Sequence, residues 1–125
     1  MYIKQYSAFK LRSINLATLL PSKHVNIIVG NNNAGKTSLI EGIYYCSALK
    51  SFKGVPSETL IQNTENAFKL LLKVVKCGDN INIYTEKSLS SSKIVKVNEK
   101  KVTAKTLLLT FPCIALSFGI ENIII

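Results

Sequence analysis

The strongest constraint on the fold is a run of eight residues, Gly30-Asn31-Asn32-Asn33-Ala34-Gly35-Lys36-Thr37. It fits the pattern G-x-x-x-x-G-K-[ST], in which a glycine-rich loop joins a strand to a helix and cradles phosphate groups. An apolar stretch of strand length, Val25 to Val29, comes just before the loop. Apolar residues recur at helical spacing from Thr37 to Leu49. The pattern therefore predicts a buried central strand at 25–29, a phosphate-binding loop at 30–37 and a helix behind it.

The residue types in the loop suit a bound nucleotide. Gly30 and Gly35 can adopt backbone angles that other residues avoid, and they put no side chain in the way of a phosphate. Successive backbone N–H groups and the helix N terminus then attract the anion. We predict that Lys36 contacts the β- and γ-phosphates and that the Thr37 hydroxyl binds Mg²⁺. The residues predicted to bind ATP are Gly30, Asn31, Asn32, Asn33, Ala34, Gly35, Lys36, Thr37 and Ser38.

Composition narrows the class of protein. The chain has 125 residues, the size of one domain, and 47% of them are hydrophobic, as in a globular protein. Its 16 basic and 7 acidic side chains give a net charge of +9, which favours nucleotide, nucleic acid or an anionic membrane surface as a partner. A generally Lys-rich proteome is the alternative explanation, because Arg12 is the only arginine.

Cysteine spacing and hydropathy indicate the compartment. Cys46, Cys77 and Cys113 are odd in number and far apart, which predicts buried free thiols in a reducing cytoplasm. The N terminus has no apolar segment of the kind that a secretion signal needs. The longest uncharged stretch, 106–120, contains Pro112 and is shorter than the ~20 residues that span a bilayer. We expect a cytoplasmic protein with no membrane partner.

Alternating apolar and polar residues predict strands on both sides of the loop. Two strands precede it, at 2–8 and 14–20, and an antiparallel β-meander of three strands follows at about 67–103. Between the helix and the meander, a short helix is predicted at 57–62 with Ser57 as its N-cap. The remaining predictions are a turn at 98–101, a helix at 103–110 and a final strand at 112–118.

Lysines are concentrated in and beside the meander. Two interpretations stay open, a solvated face of the sheet and a surface that binds the DNA backbone. The lysines are Lys69, Lys73, Lys87, Lys93, Lys96, Lys100, Lys101 and Lys105.

The loop and its flanks resemble the RecF family of bacterial DNA-repair and recombination ATPases, in the SMC-like branch of the ABC ATPases. The run IVGNNNAGKTSLIEGIY at 28–44 is similar to the family pattern G-x-N-G-x-G-K-T-[SN]-[LIV]-[LIV]-E-A-I-Y, with Asn33 in place of a glycine. Further similarities keep the family order: Phe9-Lys10 to Phe-Arg, Ser51-Phe52-Lys53 to S-[FH]-R, Glu58-Thr59-Leu60-Ile61 to E-L-I, and Phe118-Gly119-Ile120-Glu121-Asn122-Ile123 to F-S-P-E-D-L.

The resemblance implies an α/β fold, namely a P-loop NTPase in which residues 1–125 form the N-terminal lobe of an ABC/SMC-type ATPase head, with an antiparallel β-meander and without the C-terminal lobe. It implies ATP and Mg²⁺ as cofactors. It implies single-stranded or gapped duplex DNA as a partner, a homodimer formed through ATPase heads, and recombination mediator proteins. Lys10, Arg12 and Lys53 are further candidates for phosphate or DNA contacts. A lysine in place of the family's arginine lacks the bidentate fork, which would weaken such a contact at Lys10 and Lys53.

Two motifs that an ATPase of this kind uses are missing from the sequence. A Walker B strand ends in Asp-Glu, but Asp79 is the only aspartate, and Leu89-Ser90 is not followed by the glycines of an ABC signature. We expect a fragment, or the product of a split or degraded gene. Two functions stay open. One is the ATP-binding N-terminal portion of a RecF-like DNA replication and repair protein that binds DNA in an ATP-dependent way. The other is a catalytically inactive remnant, or a basic DNA-binding module with a vestigial P-loop.

Overall fold

The structure is a computed structural model that describes residues 1–31, 35–118 and 122–124, and an antiparallel sheet is its main feature. In chain order the elements are β1 (Tyr2–Leu11), β2 (Ile14–Leu19), α1 (Lys36–Ala48), a 3₁₀ helix (Ser57–Leu60), β3 (Ala67–Lys76), β4 (Asp79–Ser88), β5 (Ile94–Val97), β6 (Lys100–Lys101), α2 (Ala104–Thr110), β7 (Leu116–Phe118) and β8 (Asn122–Ile124).

Six strands form one sheet in the order β2-β1-β3-β4-β5-β6, and all neighbouring strands in it are antiparallel. The predicted antiparallel meander is confirmed, and β1 and β2 continue the same sheet on its other side. The predicted turn at 98–101 was partly wrong, since Lys100–Lys101 forms β6. Asn98 and Glu99 both have positive φ angles, 49° and 70°, so two residues suffice to reverse the chain.

The core lies between the sheet and α1. In β3 the buried residues alternate with exposed ones, as the period of a half-buried strand requires. The inward side chains of β3 are Phe68, Leu70, Leu72 and Val74. On α1, Tyr45 and Cys46 are fully buried against them, and the Tyr45 ring meets Phe68 edge-on at 5.0 Å between centroids. The helix thus rests on the middle of the sheet, with its N terminus beside the β1–β2 turn.

Gly42 lets α1 approach β1 closely. The Tyr6 hydroxyl on β1 donates a hydrogen bond of 2.9 Å to the carbonyl of Leu39 on the helix. A Cβ atom added at Gly42 would lie 2.2 Å from that hydroxyl oxygen and 3.0 Å from Leu11 Cδ2. A side chain there would displace the Tyr6 ring or move the helix away from β1, so this glycine allows the close approach of α1 to β1.

The predicted central strand at 25–29 is wrong. The segment has no regular secondary structure, and Val25, Ile27 and Val29 are 78%, 83% and 83% exposed. A strand needs a neighbour for its N–H and C=O groups, and none of the strand pairings or bridges within the described residues includes 25–29. An apolar run alone therefore does not predict a strand, because a strand also needs a neighbouring strand with which to pair.

Smaller corrections concern the segments around the sheet. Helix α1 begins one residue earlier than predicted, and Pro56 rather than Ser57 precedes the 3₁₀ helix as its N-cap, because the first helical residue is Ser57 itself. Helix α2 was predicted, and the Thr103 hydroxyl caps it by accepting a hydrogen bond of 3.2 Å from the Thr106 amide. The pairing of β7 with β8 was not predicted. The segment Gly119 to Glu121, part of a predicted motif, lies outside the described residues.

The cysteine prediction holds in part. All three thiols are free. Cys46 is buried as expected, and burial raises the pKa of its thiol to about 12, so it stays protonated and unreactive. Cys113 is half-buried. Cys77 is exposed, because it occupies the β3–β4 turn with Gly78, where both residues have positive φ angles. Among the described residues, no helix combines the length and the hydropathy needed to cross a bilayer.

Candidate nucleotide-binding site

The site is built at the N terminus of α1. Gly35 is the N-cap residue and adopts a left-handed conformation with φ 83° and ψ 7°. The first helical hydrogen bond runs from the Leu39 amide to the Gly35 carbonyl, at 3.0 Å. The amides of the first turn therefore have no partner within the helix, and no side chain caps them in the described part of the chain. Together with the positive end of the helix dipole, these donors can bind an anion.

The β1–β2 turn closes one side of the site. A Cβ atom added at Gly35 would lie 3.3 Å from Ile14 Cγ1 and 3.8 Å from Ser13 Oγ. A larger residue at this position would therefore meet the turn as well as being strained at φ 83°. The requirement for glycine at the end of the motif thus has a structural cause in this chain.

Three side chains of the motif lie in the first turn of α1. Lys36 and Thr37 are half-buried, and Ser38 is buried. The Lys36 ammonium donates a hydrogen bond of 2.5 Å to the carbonyl of Gly30, the first residue of the motif. This contact brings the two ends of the loop together with a positive charge between them. Asn31 is exposed, and Asn32 to Ala34 lie outside the described residues.

Arg12, predicted to contact phosphate or DNA, is bound within the protein. Its Nε donates to Glu41 Oε1 at 2.8 Å and a terminal nitrogen donates to Oε2 at 3.3 Å, a bidentate pair. Glu41 is fully buried on α1, and the Ser51 hydroxyl also donates to its carboxylate. Arg12 thereby ties the β1–β2 turn to the phosphate-loop helix, one turn after the site.

The other two predicted cations lie apart from the helix N terminus. Lys10 is on β1 and pairs with Glu65 at 3.3 Å on the surface. Lys53 is exposed in the loop after α1, where its backbone N–H donates to the Ser51 hydroxyl at 3.0 Å. Of the three predicted contacts, only Arg12 is therefore coupled to the site, and it acts there through Glu41.

Six of the eight lysines predicted in and beside the meander fall into two groups, and the other two, Lys100 on β6 and Lys105 on α2, are exposed outside both. Lys87 is buried on the helix side of the sheet, where its ammonium donates to the carbonyls of Ser88 and Ser91 at 2.7 and 2.8 Å. Lys93 donates to the Leu49 carbonyl at the C terminus of α1, at 2.5 Å. These two are structural contacts, contrary to the interpretation of all eight as one surface. The strand register places four lysines on the face of the sheet that points away from α1, namely Lys69, Lys73, Lys96 and Lys101.

Glu41 and Ser51 are the residues that the sequence interpretation missed as members of the site. Both were quoted only as parts of family motifs. The available signal was that Glu41 is the one charged residue of α1 after Lys36, because a charge on a helix that packs against a sheet demands a partner when it is buried.

Comparison with known proteins places the chain in a family. A family profile described as AAA domain matches residues 1–111. The chain belongs to the AAA domain family. Its fold is that of a P-loop NTPase, as predicted, because its structural neighbours are ATPase heads of the RecF and SMC kinds.

Within that class the chain is similar to the N-terminal region of RecF, and the predicted resemblance is confirmed. It is 30% identical over 98 residues to the DNA replication and repair protein RecF of Psychromonas ingrahamii, covering 78% of this chain and 27% of that protein. Against RecF of Clostridium botulinum (strain Eklund 17B / Type B) it is 34% identical over 102 residues, covering 82% and 28%. The chain thus spans about a quarter of the length of these relatives.

Solved structures of RecF and of an SMC head are also similar to this chain. A structure titled as the recombination mediator protein RecF-ATP in the RecFOR pathway has a TM-score of 0.77 at 27% identity, over 82% of this chain and 28% of that one. The SMC head domain from Thermotoga maritima has a TM-score of 0.71 at 21% identity, over 89% of this chain and 42% of that one, and this likeness concerns the fold alone.

Proposed function

We propose that the chain is the ATP-binding N-terminal portion of a RecF-like DNA replication and repair protein, and that it binds DNA in an ATP-dependent way. The N terminus of α1 carries the proposal. There a left-handed glycine, first-turn amides that have no partner within the helix, and the Lys36 ammonium converge within one helical turn. The solved RecF relative whose title includes ATP supports the choice of nucleotide.

The residues present fit a Mg²⁺–triphosphate. Gly35 leaves the approach to the helix amides free of a side chain, and the amides of the first turn can donate to phosphate oxygens. Lys36 would exchange its bond to the Gly30 carbonyl for a charge-assisted bond to the β- and γ-phosphates, and Thr37 would offer its hydroxyl to Mg²⁺. The metal, when bound, neutralises charge on the phosphates. Asn31, Asn32, Asn33, Ala34 and Ser38 complete the proposed loop together with Gly30.

Nucleotide affinity tests the proposal. Replacing Lys36 by Ala removes the only motif cation, which should weaken binding by about 1.5–3 kcal/mol for each charge-assisted hydrogen bond lost. A titration of a fluorescent ATP analogue in the presence of Mg²⁺ measures the effect. Lys50→Ala is the matched control, because Lys50 is exposed at the opposite end of α1 and its loss changes the net charge equally. Equal nucleotide-binding curves for the wild type and Lys36→Ala would contradict nucleotide binding at the proposed site.

A second candidate is a basic DNA-binding module with a vestigial P-loop. The observation that favours it is the exposed segment 25–29, which does not form the strand that leads into a phosphate-binding loop. The two candidates separate cleanly: the module would bind DNA with a salt dependence of roughly −0.9 per phosphate contact in a log–log plot and would show no response to nucleotide. ATP-dependent binding, lost in Lys36→Ala, would exclude it.

The remaining proposals concern partners and location. We propose pairing of ATPase heads and contact with recombination mediator proteins. One solved neighbour, 17% identical, has ATP-driven dimerization of SMC ATPases in its title, and the RecF neighbours have the RecFOR pathway in theirs. A cytoplasmic location is proposed on the same basis, since the relatives are named for DNA replication and repair.

A further inference from the structure

One face of the six-stranded sheet carries no helix within the described part of the chain. Helices α1 and α2 and the 3₁₀ helix all contact the opposite, inward face. We call the other side the outer face. An open groove of about 930 Å³ runs across it. The strand register assigns to the outer face Thr18 and Leu16 of β2, Gln5, Ser7 and Phe9 of β1, Lys69, Leu71 and Lys73 of β3, Asn82, Tyr84 and Glu86 of β4, Ile94 and Lys96 of β5, and Lys101 of β6.

The middle of the outer face is apolar and partly aromatic. Leu71 and Tyr84 lie directly opposite each other on β3 and β4, and Phe9 on β1 lies diagonally from Leu71. Leu71 is 43% exposed although β3 has strands on both sides. Tyr84 and Phe9 are partly exposed. Planar side chains are thus presented from a rigid, hydrogen-bonded platform.

Lysines flank this apolar strip on two sides. Lys69 and Lys73 stand two residues before and after Leu71, about 6.6 Å away along the strand. Lys96 is opposite Tyr84 on β5, and Lys101 is opposite Lys96 on β6. Neighbouring strands are about 4.8 Å apart, so the backbone places these four lysines close to the apolar strip.

The acidic groups nearby do not cancel this charge. Glu86 is the acid on the outer face, and its carboxylate accepts a hydrogen bond of 2.6 Å from the Tyr84 hydroxyl and lies 3.9 Å from the Lys69 ammonium. Glu99, at the β5–β6 turn, also lines the groove. Burial and the bond to Glu86 raise the pKa of Tyr84 to about 12, so the phenol stays neutral at physiological pH. Four lysines against two glutamates leave the outer face cationic.

We propose that the outer face binds single-stranded nucleic acid, with bases stacked on Tyr84 and Phe9 and the backbone phosphates at Lys69, Lys73, Lys96 and Lys101. Every base has a flat face that stacks on an aromatic ring, whereas a duplex keeps those faces inside its own stack. The amides of Gln5 and Asn82 lie at the edge of the same groove, within reach of base edges. This deepens the proposed function, because it rests on the DNA-binding part and assigns it a surface and a strand state.

The experiment compares binding of a labelled single-stranded oligonucleotide and of the matching duplex by fluorescence anisotropy, over a series of salt concentrations. Tyr84→Leu removes the ring and should weaken single-strand binding about tenfold, while Tyr84→Phe should bind like the wild type because it keeps the ring. The double variant Lys73→Gln, Lys96→Gln, in which Lys73 is exposed and Lys96 is half-buried, should reduce the log–log salt slope by about 0.7 per lysine. Lys50→Gln, Lys105→Gln is the matched control, with the same change in charge off the outer face.

The following results would contradict binding of single-stranded nucleic acid at the outer face. If the control pair weakens binding as much as the Lys73, Lys96 pair, attraction is diffuse. If duplex binds as tightly as single strand, or polyglutamate displaces the oligonucleotide equally well, stacking has no part in it. If the Tyr84→Leu variant does not fold, the Lys73→Gln, Lys96→Gln variant still tests the inference. The Lys73→Gln, Lys96→Gln variant separates the claims, because it should weaken single-strand binding in the presence of ATP and Mg²⁺ and leave nucleotide binding unchanged. If the wild type binds DNA and the outer-face variants bind it equally well, this inference is overturned while the proposed function stands.

Discussion

Glu41 is the residue on which the link between turn and helix depends. A fully buried carboxylate is costly unless it is paired and hydrogen-bonded, and here Arg12 and Ser51 supply those partners. The pair also explains why the only arginine of the chain is on the β1–β2 turn: a lysine could not form both bonds to the carboxylate. The cation is therefore occupied in holding the wall of the site.

Removing Arg12 tests this role. Arg12→Ala should lower the free energy of unfolding by about 2–3 kcal/mol, because it leaves Glu41 buried with one partner, and the partial exposure of the arginine keeps the cost at the low end. Urea denaturation measures it, with Lys53→Ala as a surface control. The double variant Arg12→Ala, Glu41→Gln should recover part of the loss, since no charge is then buried alone. A single variant within about 0.5 kcal/mol of the wild type would show that the pair is not needed.

Among the elements, those with a strong internal period were predicted well. The 3.6-residue pattern of α1 and the two-residue alternation of β3 and β4 come from the local sequence. Each pattern identifies the face of its element that is buried. The segment 25–29 has no such period, because it is apolar throughout. Its strand depends on neighbours that the sequence pattern cannot supply. In the same way, the pairing of Arg12 with Glu41 joins residues that are 29 positions apart, beyond the reach of a local pattern.

Amide hydrogen exchange tests the assignment of 25–29 as irregular. We expect the amides of Val25, Ile27 and Val29 to exchange rapidly, because they have no ladder partner, while those of Leu70 and Leu72 in the sheet centre exchange only on global unfolding. The two sets are compared in one heteronuclear NMR experiment, in which β3 serves as the internal reference. Protection at 25–29 equal to that of β3 would mean that a strand forms there after all.

At the scale of the whole molecule, the proposed phosphate site at the N terminus of α1 has few groups near it that could support hydrolysis. In-line attack on a γ-phosphate needs a positioned water, and the carboxylate nearest along α1, Glu41, is buried and bound to Arg12 and Ser51. Asp79, the only aspartate, is exposed at the far end of the β3–β4 hairpin. The proposed phosphate-binding loop can be recognised in the sequence because its motif is local, whereas hydrolysis depends on groups that no local motif here provides.

The chain alone is therefore expected to release phosphate from ATP at a negligible rate. Loss of the transition-state contacts that position water and stabilise charge lowers rates by about 10²–10⁵-fold while leaving binding largely intact. A colorimetric phosphate assay on the purified 125-residue chain measures this, and Lys36→Ala reports any contaminating ATPase. Steady release that disappears in Lys36→Ala would mean that a carboxylate such as Glu41 or Glu121 has a catalytic role.

The claim that nucleotide phosphates lie at the N terminus of α1 is tested most directly by NMR titration of the labelled chain with ATP and Mg²⁺. We predict that the largest amide shift changes occur at Gly35, Lys36 and Thr37, whose N–H groups would face the phosphates, and that they vanish in Lys36→Ala. Amides of the outer face should respond to single-stranded DNA and not to ATP. Saturating nucleotide with no change at these three amides, or with the changes confined to the Lys69–Lys73 segment, would contradict the assignment of this helix as the nucleotide site.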